Sequence, residues 1–234
     1  SSEPNAQATV EVEDQRELFT FEMFKPKIKS TKIIFDLKPL SISSDGKIIK
    51  VAGKEANNIS IFIDNAVPSL PCSMSYGDLK NAQIPGSNLA AATLLNVNLS
   101  GADLSNSSLE FTNFKGSTLS NAILTNSQLD SSNFTAANLN GANLDGARLK
   151  DAVMMLSNLT KADLTGADLT KAELNAARLI KSDLSGANLS GADLGSAVLD
   201  GADLTDAIWG STICPDGTMN SGTSPCTAEQ LKLV

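Results

Sequence analysis

The 234-residue sequence contains no histidine, a single tryptophan, a single tyrosine and only three cysteines. The missing histidine removes the commonest general base and the commonest metal ligand together, and with them any Ser/His/Asp set. Aromatic residues make up 4% of a composition that is 41% hydrophobic. An interior must therefore be built from Leu, Ala and other small side chains. No apolar run reaches the roughly 18 residues that a membrane-crossing helix needs, so no membrane span is expected. Basic residues are in deficit, 18 against 26 acidic, for a net charge of −8. Such a chain is a poor match for a phosphate backbone, and no nucleic-acid partner is expected. The start, "SSEPNAQATV", has neither an initiator Met nor an apolar secretory core. It reads as a processed or trimmed chain, with "AQA" resembling a small-residue cleavage site.

What the sequence has is a register. From Leu79 to Leu204, every position numbered in 4 or 9 is apolar and sizeable, 26 in succession without a slip. Two places before each lies a small residue (Ala102, Thr112, Ser127, Ala142, Ala167, Ser182, Ala202), with Val97 the bulkiest exception. The position just before is usually Asp or Asn, and the two after are polar and glycine-rich. Five fits neither the 3.6-residue period of a helix nor the two-residue period of a flat strand. It fits a coil with a corner in every unit. Four units then make a square loop of twenty residues, with the Leu and the small residue turned inward. One such loop cannot bury its leucines, whereas stacked loops can. At roughly 4.8 Å per coil, the register predicts about 6.5 coils and a rod on the order of 30 Å long.

A twenty-residue coil has a checkable corollary, because stacked positions must match in size. One row reads Leu79, Leu99, Leu119, Leu139, Leu159, Leu179, Leu199; another reads Leu94, Phe114, Phe134, Met154, Leu174, Leu194. Every non-Leu centre between Leu89 and Leu204 falls in that second row.

The units "GADLS", "GANLD", "TGADLT" and "GADLTDA" resemble the pentapeptide-repeat family, whose pattern is A(D/N)LXX, over residues 77–209. The resemblance implies an all-β fold, a right-handed quadrilateral parallel β-helix. It says little about function.

The flanks follow other rules. Phe19, Phe21, Phe24, Phe35 and Phe62 lie in residues 1–66, where apolar residues alternate. "TVEVE" (9–13), "TKIIFDL" (31–37), "KIIKV" (47–51) and "NISIFID" (58–64) read as strands, with Asp45-Gly46 a hairpin signal. This predicts a small N-terminal antiparallel β subdomain, joined by a linker at 67–76 to the β-helix at 77–209. Trp209 takes a central slot and closes the last coil, and residues 210–234 form a capping loop in which "PDGT" and "SGTSP" are turn chemistry. Cys214 and Cys226 flank this loop; a bridge would stabilise it by about 3 kcal/mol and point to an oxidising compartment. Similar "CPDGT…C" tails in some family members imply a closing cap. Cys72 precedes the first coil and lies about 30 Å from the other two at 4.8 Å per coil. Bonding to them within one chain is excluded, as is a three-Cys zinc site. A buried free thiol and an intermolecular bond both stay open.

Asp103, Asp163, Asp183 and Asp203 fall in one outward column, with Lys161 and Lys181 in the next. Asp or Asn recurs all round the perimeter, where it can bond local backbone, so the column reads as a wet structural face. With no P-loop, evenly spread glycines and no cleft in a regular prism, no enzyme, cofactor or metal is expected. The irregular outward residues are more informative. Val153, Met155 and Leu156 cluster, and Leu95 shares the Met155 column; Phe111, Ile123 and Ile180 are isolated. A cluster of this kind is a candidate interaction patch or the seat of the chain's own N-terminal arm. The expectation is an exported (periplasmic, lumenal or extracellular) non-enzymatic scaffold, binding a protein partner or its own copies. The alternative comes from the resemblance: some family members mimic a DNA duplex and bind DNA gyrase. The repeat region here carries 14 acidic and 8 basic residues.

Overall fold

The computed structural model describes residues 6–11, 18–29, 32–39, 59–61, 74–75, 77–220 and 222–231. From Asp78 onward the backbone winds into stacked coils. The parallel bridges run from Asp78↔Asn98 to Asp193↔Ile213, and each joins residues 20 apart. Four five-residue units therefore complete one coil.

The unit Ala162–Gly166 shows why the repeat has its particular letters. The Ala162 N–H donates to the Leu159 carbonyl at 2.9 Å, closing a turn. The Asp163 N–H reaches Ala142 O in the preceding coil, at 2.9 Å. The Leu164 and Gly166 N–H groups reach Asp183 O and Ser185 O in the following coil, at 2.7 and 2.9 Å. The fifth donor, the Thr165 N–H, lies 3.0 Å from Asp163 Oδ1. All five N–H groups are placed, which a backbone next to a dry core requires. The Asp or Asn thus supplies the one acceptor that the backbone lacks. The same side-chain bond recurs at Asn98, Asp103, Asn143, Asp168, Asp183 and Asp193.

The last letter of each unit has its own cause. From Asn81 to Ser211, every such position has a positive φ, in the left-handed region that most side chains enter only at a cost. Glycine and asparagine, which enter this region at least cost, occupy many of these slots. Where they stack, they interlock: a Cβ on Gly141 would sit 2.6 Å from Asn121 Oδ1, and one on Gly146 2.7 Å from Asn126 Oδ1.

The interior is dry from Leu79 to Leu199, each Leu contributing about 1.5–3 kcal/mol of burial. Small inward hydroxyls are not left bare. Ser132, Ser157 and Ser182 donate to the carbonyls of Leu129, Met154 and Leu179, each at 2.7 Å. Thr112 and Thr212 reach the preceding coil, to Leu89 O at 2.7 Å and Leu189 O at 2.8 Å.

Five short strands precede or adjoin the coils: β1 (Ala6–Glu11), β2 (Leu18–Lys29), β3 (Lys32–Pro39), β4 (Ile59–Ile61) and β5 (Met74–Ser75). They form one antiparallel sheet in the order β4-β3-β2-β1-β5. β2 is the strand that alternation alone did not mark, and it contains Pro26. Its ladder with β3 shifts register between Phe24 and Lys27, where a residue without an N–H is tolerated. The expected strand at 47–51, the Asp45-Gly46 hairpin and Cys72 lie outside the described residues.

At the other end the chain folds over part of the last coil. The Ser211 N–H meets Gly222 O at 3.2 Å and the Cys214 N–H meets Thr218 O at 2.7 Å. Thr212 N–H donates to Asn220 Oδ1 at 2.6 Å. Cys214 and Cys226 are bonded, with Cα atoms 5.9 Å apart, and Trp209 is buried.

Candidate functional site

The coil has four faces, and the unusual side chains concentrate on one, built on Leu94, Phe114, Phe134, Met154, Leu174 and Leu194. Inside it, the Phe114 and Phe134 rings stack. Outside it, the stretch Val153–Leu156 breaks two local rules at once. Val153 stands where an Asp or Asn would accept the Met155 N–H, and that N–H, like those of Leu95, Thr125 and Ile180 beside other non-Asx residues, has no acceptor among the described residues. Leu156 occupies a left-handed turn slot at φ 59° and is 62% exposed. Phe111 does the same at the opposite corner of this face, with φ 59° and 67% exposure. A bulky residue in that conformation is a genuine outlier, and neither residue gains burial in return.

Val153, Met155 and Leu156 are brought together around the buried Met154. Leu95 is not brought to them. It shares the Met155 column but lies three coils away, with Lys115 and Thr135 between, as the bonds Asn96→Lys115, Gly116→Thr135 and Ala136→Met155 show. Phe111 reads as isolated in the sequence, whereas the coil places it on an edge of the same face. The signal that could have found it was its slot, two residues after Leu109, where Gly or Asn is favoured.

The acidic column is real but interrupted. Asp103 pairs with Ile123, Ile123 with Asn143 and Asn143 with Asp163; only Asp163, Asp183 and Asp203 run consecutively. Their carboxylates accept the N–H groups of Thr165, Ser185 and Thr205 at 2.9–3.0 Å. The Asp203 carboxyl is held below its ordinary value by the Thr205 side chain and then by the Thr205 N–H. These carboxylates serve the turns. Among the described residues, no three Cys, Asp or Glu side chains converge as a metal site would require, and no helix is long and apolar enough to cross a membrane.

The family profile "Pentapeptide repeats (8 copies)" matches residues 72–110, 82–121, 112–151, 157–195 and 172–208, more than half of the chain. The chain belongs to the pentapeptide-repeat family. Its coils therefore form a right-handed β-helix. A comparison with curated proteins gives no match. Among solved structures, the chain is similar to HetL, a pentapeptide repeat protein involved in heterocyst differentiation regulation in Nostoc sp. strain PCC 7120. The identity is 28% over 64% of this chain and 86% of that one, with a TM-score of 0.30. It is also similar to a pentapeptide repeat protein from the Arabidopsis thaliana thylakoid lumen, 33% identical over 41% of this chain and 63% of that one, TM-score 0.23. QnrB1, a plasmid-mediated fluoroquinolone resistance protein, is 21% identical over 60% and 76% of the two chains, TM-score 0.32.

Proposed function

We propose that this pentapeptide-repeat protein is a non-enzymatic scaffold, and that the face bearing Val153, Met155 and Leu156 docks a protein partner. On this reading the N-terminal β subdomain and the C-terminal loop close about 6.5 coils of roughly 4.8 Å, and the rod works outside the cytoplasm. One observation carries the docking reading. At Val153–Leu156 the sequence gives up a turn-capping acceptor and accepts left-handed strain for an exposed leucine. Strain of this kind clusters at functional sites. The Cys214–Cys226 bond supports export, since disulfides persist in oxidising compartments.

The DNA-mimic alternative has less support. Exposed Arg148, Lys150, Lys161, Lys171, Arg178 and Lys181 stand among the carboxylates and break up a phosphate-like surface. A gyrase supercoiling assay separates the two readings, with no inhibition or protection expected at micromolar protein. The scaffold reading is tested by cross-linking in an extract of the source cells, comparing the protein with its Val153→Asn/Leu156→Gly variant. Loss of a discrete cross-linked species from a fully folded variant supports it. Identical cross-linking removes the patch from consideration.

A further inference from the structure

Three Asp-Gly pairs lie among the described residues: Asp145-Gly146, Asp200-Gly201 and Asp216-Gly217. Such a pair can turn into isoaspartate, because glycine puts no side chain in the way when its nitrogen attacks the preceding carboxyl. In that reaction the glycine nitrogen bonds to the aspartate Cγ, while the carboxyl hydroxyl and the amide hydrogen leave as water. Water then opens the resulting succinimide ring. Breaking the new C–N bond restores aspartate. Breaking the original one leaves the main chain routed through Cβ and Cγ, one methylene longer. The peptide unit must turn to bring nitrogen and Cγ together, so hydrogen bonds that hold that unit suppress the attack.

All three aspartates are exposed, and hydrogen bonding separates them. The Asp145–Gly146 peptide is held on both sides: Asp145 O accepts the Asn126 N–H and the Gly146 N–H donates to Thr165 O, each at 2.9 Å. At the cap, the Gly217 N–H donates to Cys214 O at 2.8 Å. The Asp216 carboxylate there is engaged by the Thr218 N–H and hydroxyl, at 2.9 and 2.7 Å. Asn140-Gly141, which would deamidate through the same ring, is closed as well. Its Asn140 Nδ2 and Gly141 N–H both donate to Thr160 O, at 3.0 and 2.9 Å.

Asp200-Gly201 differs because the last coil is capped on only part of its perimeter. One coil earlier, the N–H groups of Leu179, Lys181, Leu184 and Gly186 donate to Val198 O, Asp200 O, Asp203 O and Thr205 O. The corresponding donors at Leu199, Gly201, Leu204 and Asp206 have no acceptor among the described residues. The Asp200–Gly201 peptide is thus held on its carbonyl side alone, and the Asp200 carboxylate has no partner among the described residues. The atom nearest to the place of a Gly201 Cβ is Lys181 Cγ at 3.4 Å, part of a flexible side chain. Ala202, Leu204 and Ala207 beyond it are only partly buried, so this stretch opens at least cost. Leu204 also has an unpaired N–H, but its branched side chain hinders ring closure on Asp203.

We propose that Asp200-Gly201 is a modification site of this chain, the pair among these three that converts spontaneously to isoaspartate in the folded protein. The proposal goes beyond the docking reading and needs nothing from it. The extra methylene falls between Asp200 and Gly201 and carries Ala202 and Leu204 out of register with the coil beneath. Because a solenoid coil touches only its neighbours, the damage stays at this end of the rod.

The test incubates the full chain, disulfide intact, at neutral pH for weeks, and maps isoaspartate by peptide fragmentation that tells it from aspartate. Asp200 should convert about tenfold or more faster than Asp145 or Asp216, whose closed peptides must first open locally. In urea with the cap reduced, the three pairs should converge. Equal rates in the folded protein overturn the proposal, as does a preference for Asp200 that survives in urea, since sequence rather than fold would then set it. Asp200→Glu, whose longer side chain closes the ring poorly, supplies the second arm. Hydrogen exchange at Leu179, Lys181, Leu184 and Gly186 should quicken on incubation of the wild type and stay constant in the variant. Equal quickening in both would trace the loosening to another cause and sink the structural consequence assigned to the modification.

Discussion

Phe114 and Phe134 stack ring on ring, 4.8 Å between centroids and 7° from parallel, both fully buried. The spacing is that of adjacent coils, so each ring is a floor for the next. Phe134→Ala should then cost about 3–5 kcal/mol, read by urea denaturation. Phe134→Leu, closer in volume, should cost less than about 1.5 kcal/mol. A loss under about 1 kcal/mol for the alanine variant would mean that the stack closes up around the gap.

Erasing the candidate patch should make the protein more stable. Val153→Asn restores an acceptor for the Met155 N–H, worth about 0.5–1.5 kcal/mol as a net hydrogen bond. Leu156→Gly relieves a left-handed leucine that costs about 1–2 kcal/mol, less what glycine loses in chain entropy. The double variant should unfold at a higher denaturant midpoint than the wild type. A lower midpoint would mean that these side chains are structural, and the docking argument would lose its basis.

The interlocked turns give the opposite sign. Gly141 has a φ of 66° with Asn121 Oδ1 against the place of a side chain. Gly141→Val should therefore destabilise by about 1–3 kcal/mol, the range for backbone strain at such a position. Asn121→Ala/Gly141→Val should recover only the steric part. Equal stability of wild type and Gly141→Val in thermal unfolding would contradict this account of the turn slots.

Reduction of Cys214–Cys226 should act locally. A bond closing a loop of this length contributes about 3 kcal/mol, and solenoid coils interact only with their neighbours. Hydrogen exchange after reduction should quicken across 208–226 and leave the coils around Leu139 protected. Uniform loss of protection would show that the cap controls the whole rod.

The Asp203 carboxyl should titrate below its ordinary value, because Thr205 holds the ionised form. A depressed folded-state value stabilises the protein above the unfolded-state value, and the contribution is lost as pH falls through the folded one. Carbonyl-detected NMR titration should show the low value, and Thr205→Val should raise it. No change on that substitution would assign the shift to another cause.

The coil was legible because one residue type at one spacing determines both what is buried and what stacks. The row containing Phe114, Phe134 and Met154 even predicted the twenty-residue period. The reason for the Asp and the second outward residue was less visible. Asp163 reads as wet exterior and does face outward, yet its oxygen also completes the donor set of its unit. The half-open end was not legible. Nothing in "DGADLTDAIWG" says that Trp209 and Cys214 are buried while Leu204 is only partly so, because that depends on where residues 211–231 return. Leu95 misled for a related reason: a shared column says nothing about how many coils lie between.

The twenty-residue ladder also makes the surface a set of addresses. A change of length by twenty residues adds or removes a storey and leaves every later side chain on its own wall. A change by five is nearly silent inside, since leucine still follows leucine, but it turns every later residue by a quarter revolution. The same drift that keeps this protein folded can thus carry Leu156 or the run of Asp163, Asp183 and Asp203 round to a new side intact, which gives evolution a way to rearrange what the rod displays without redesigning how it stands.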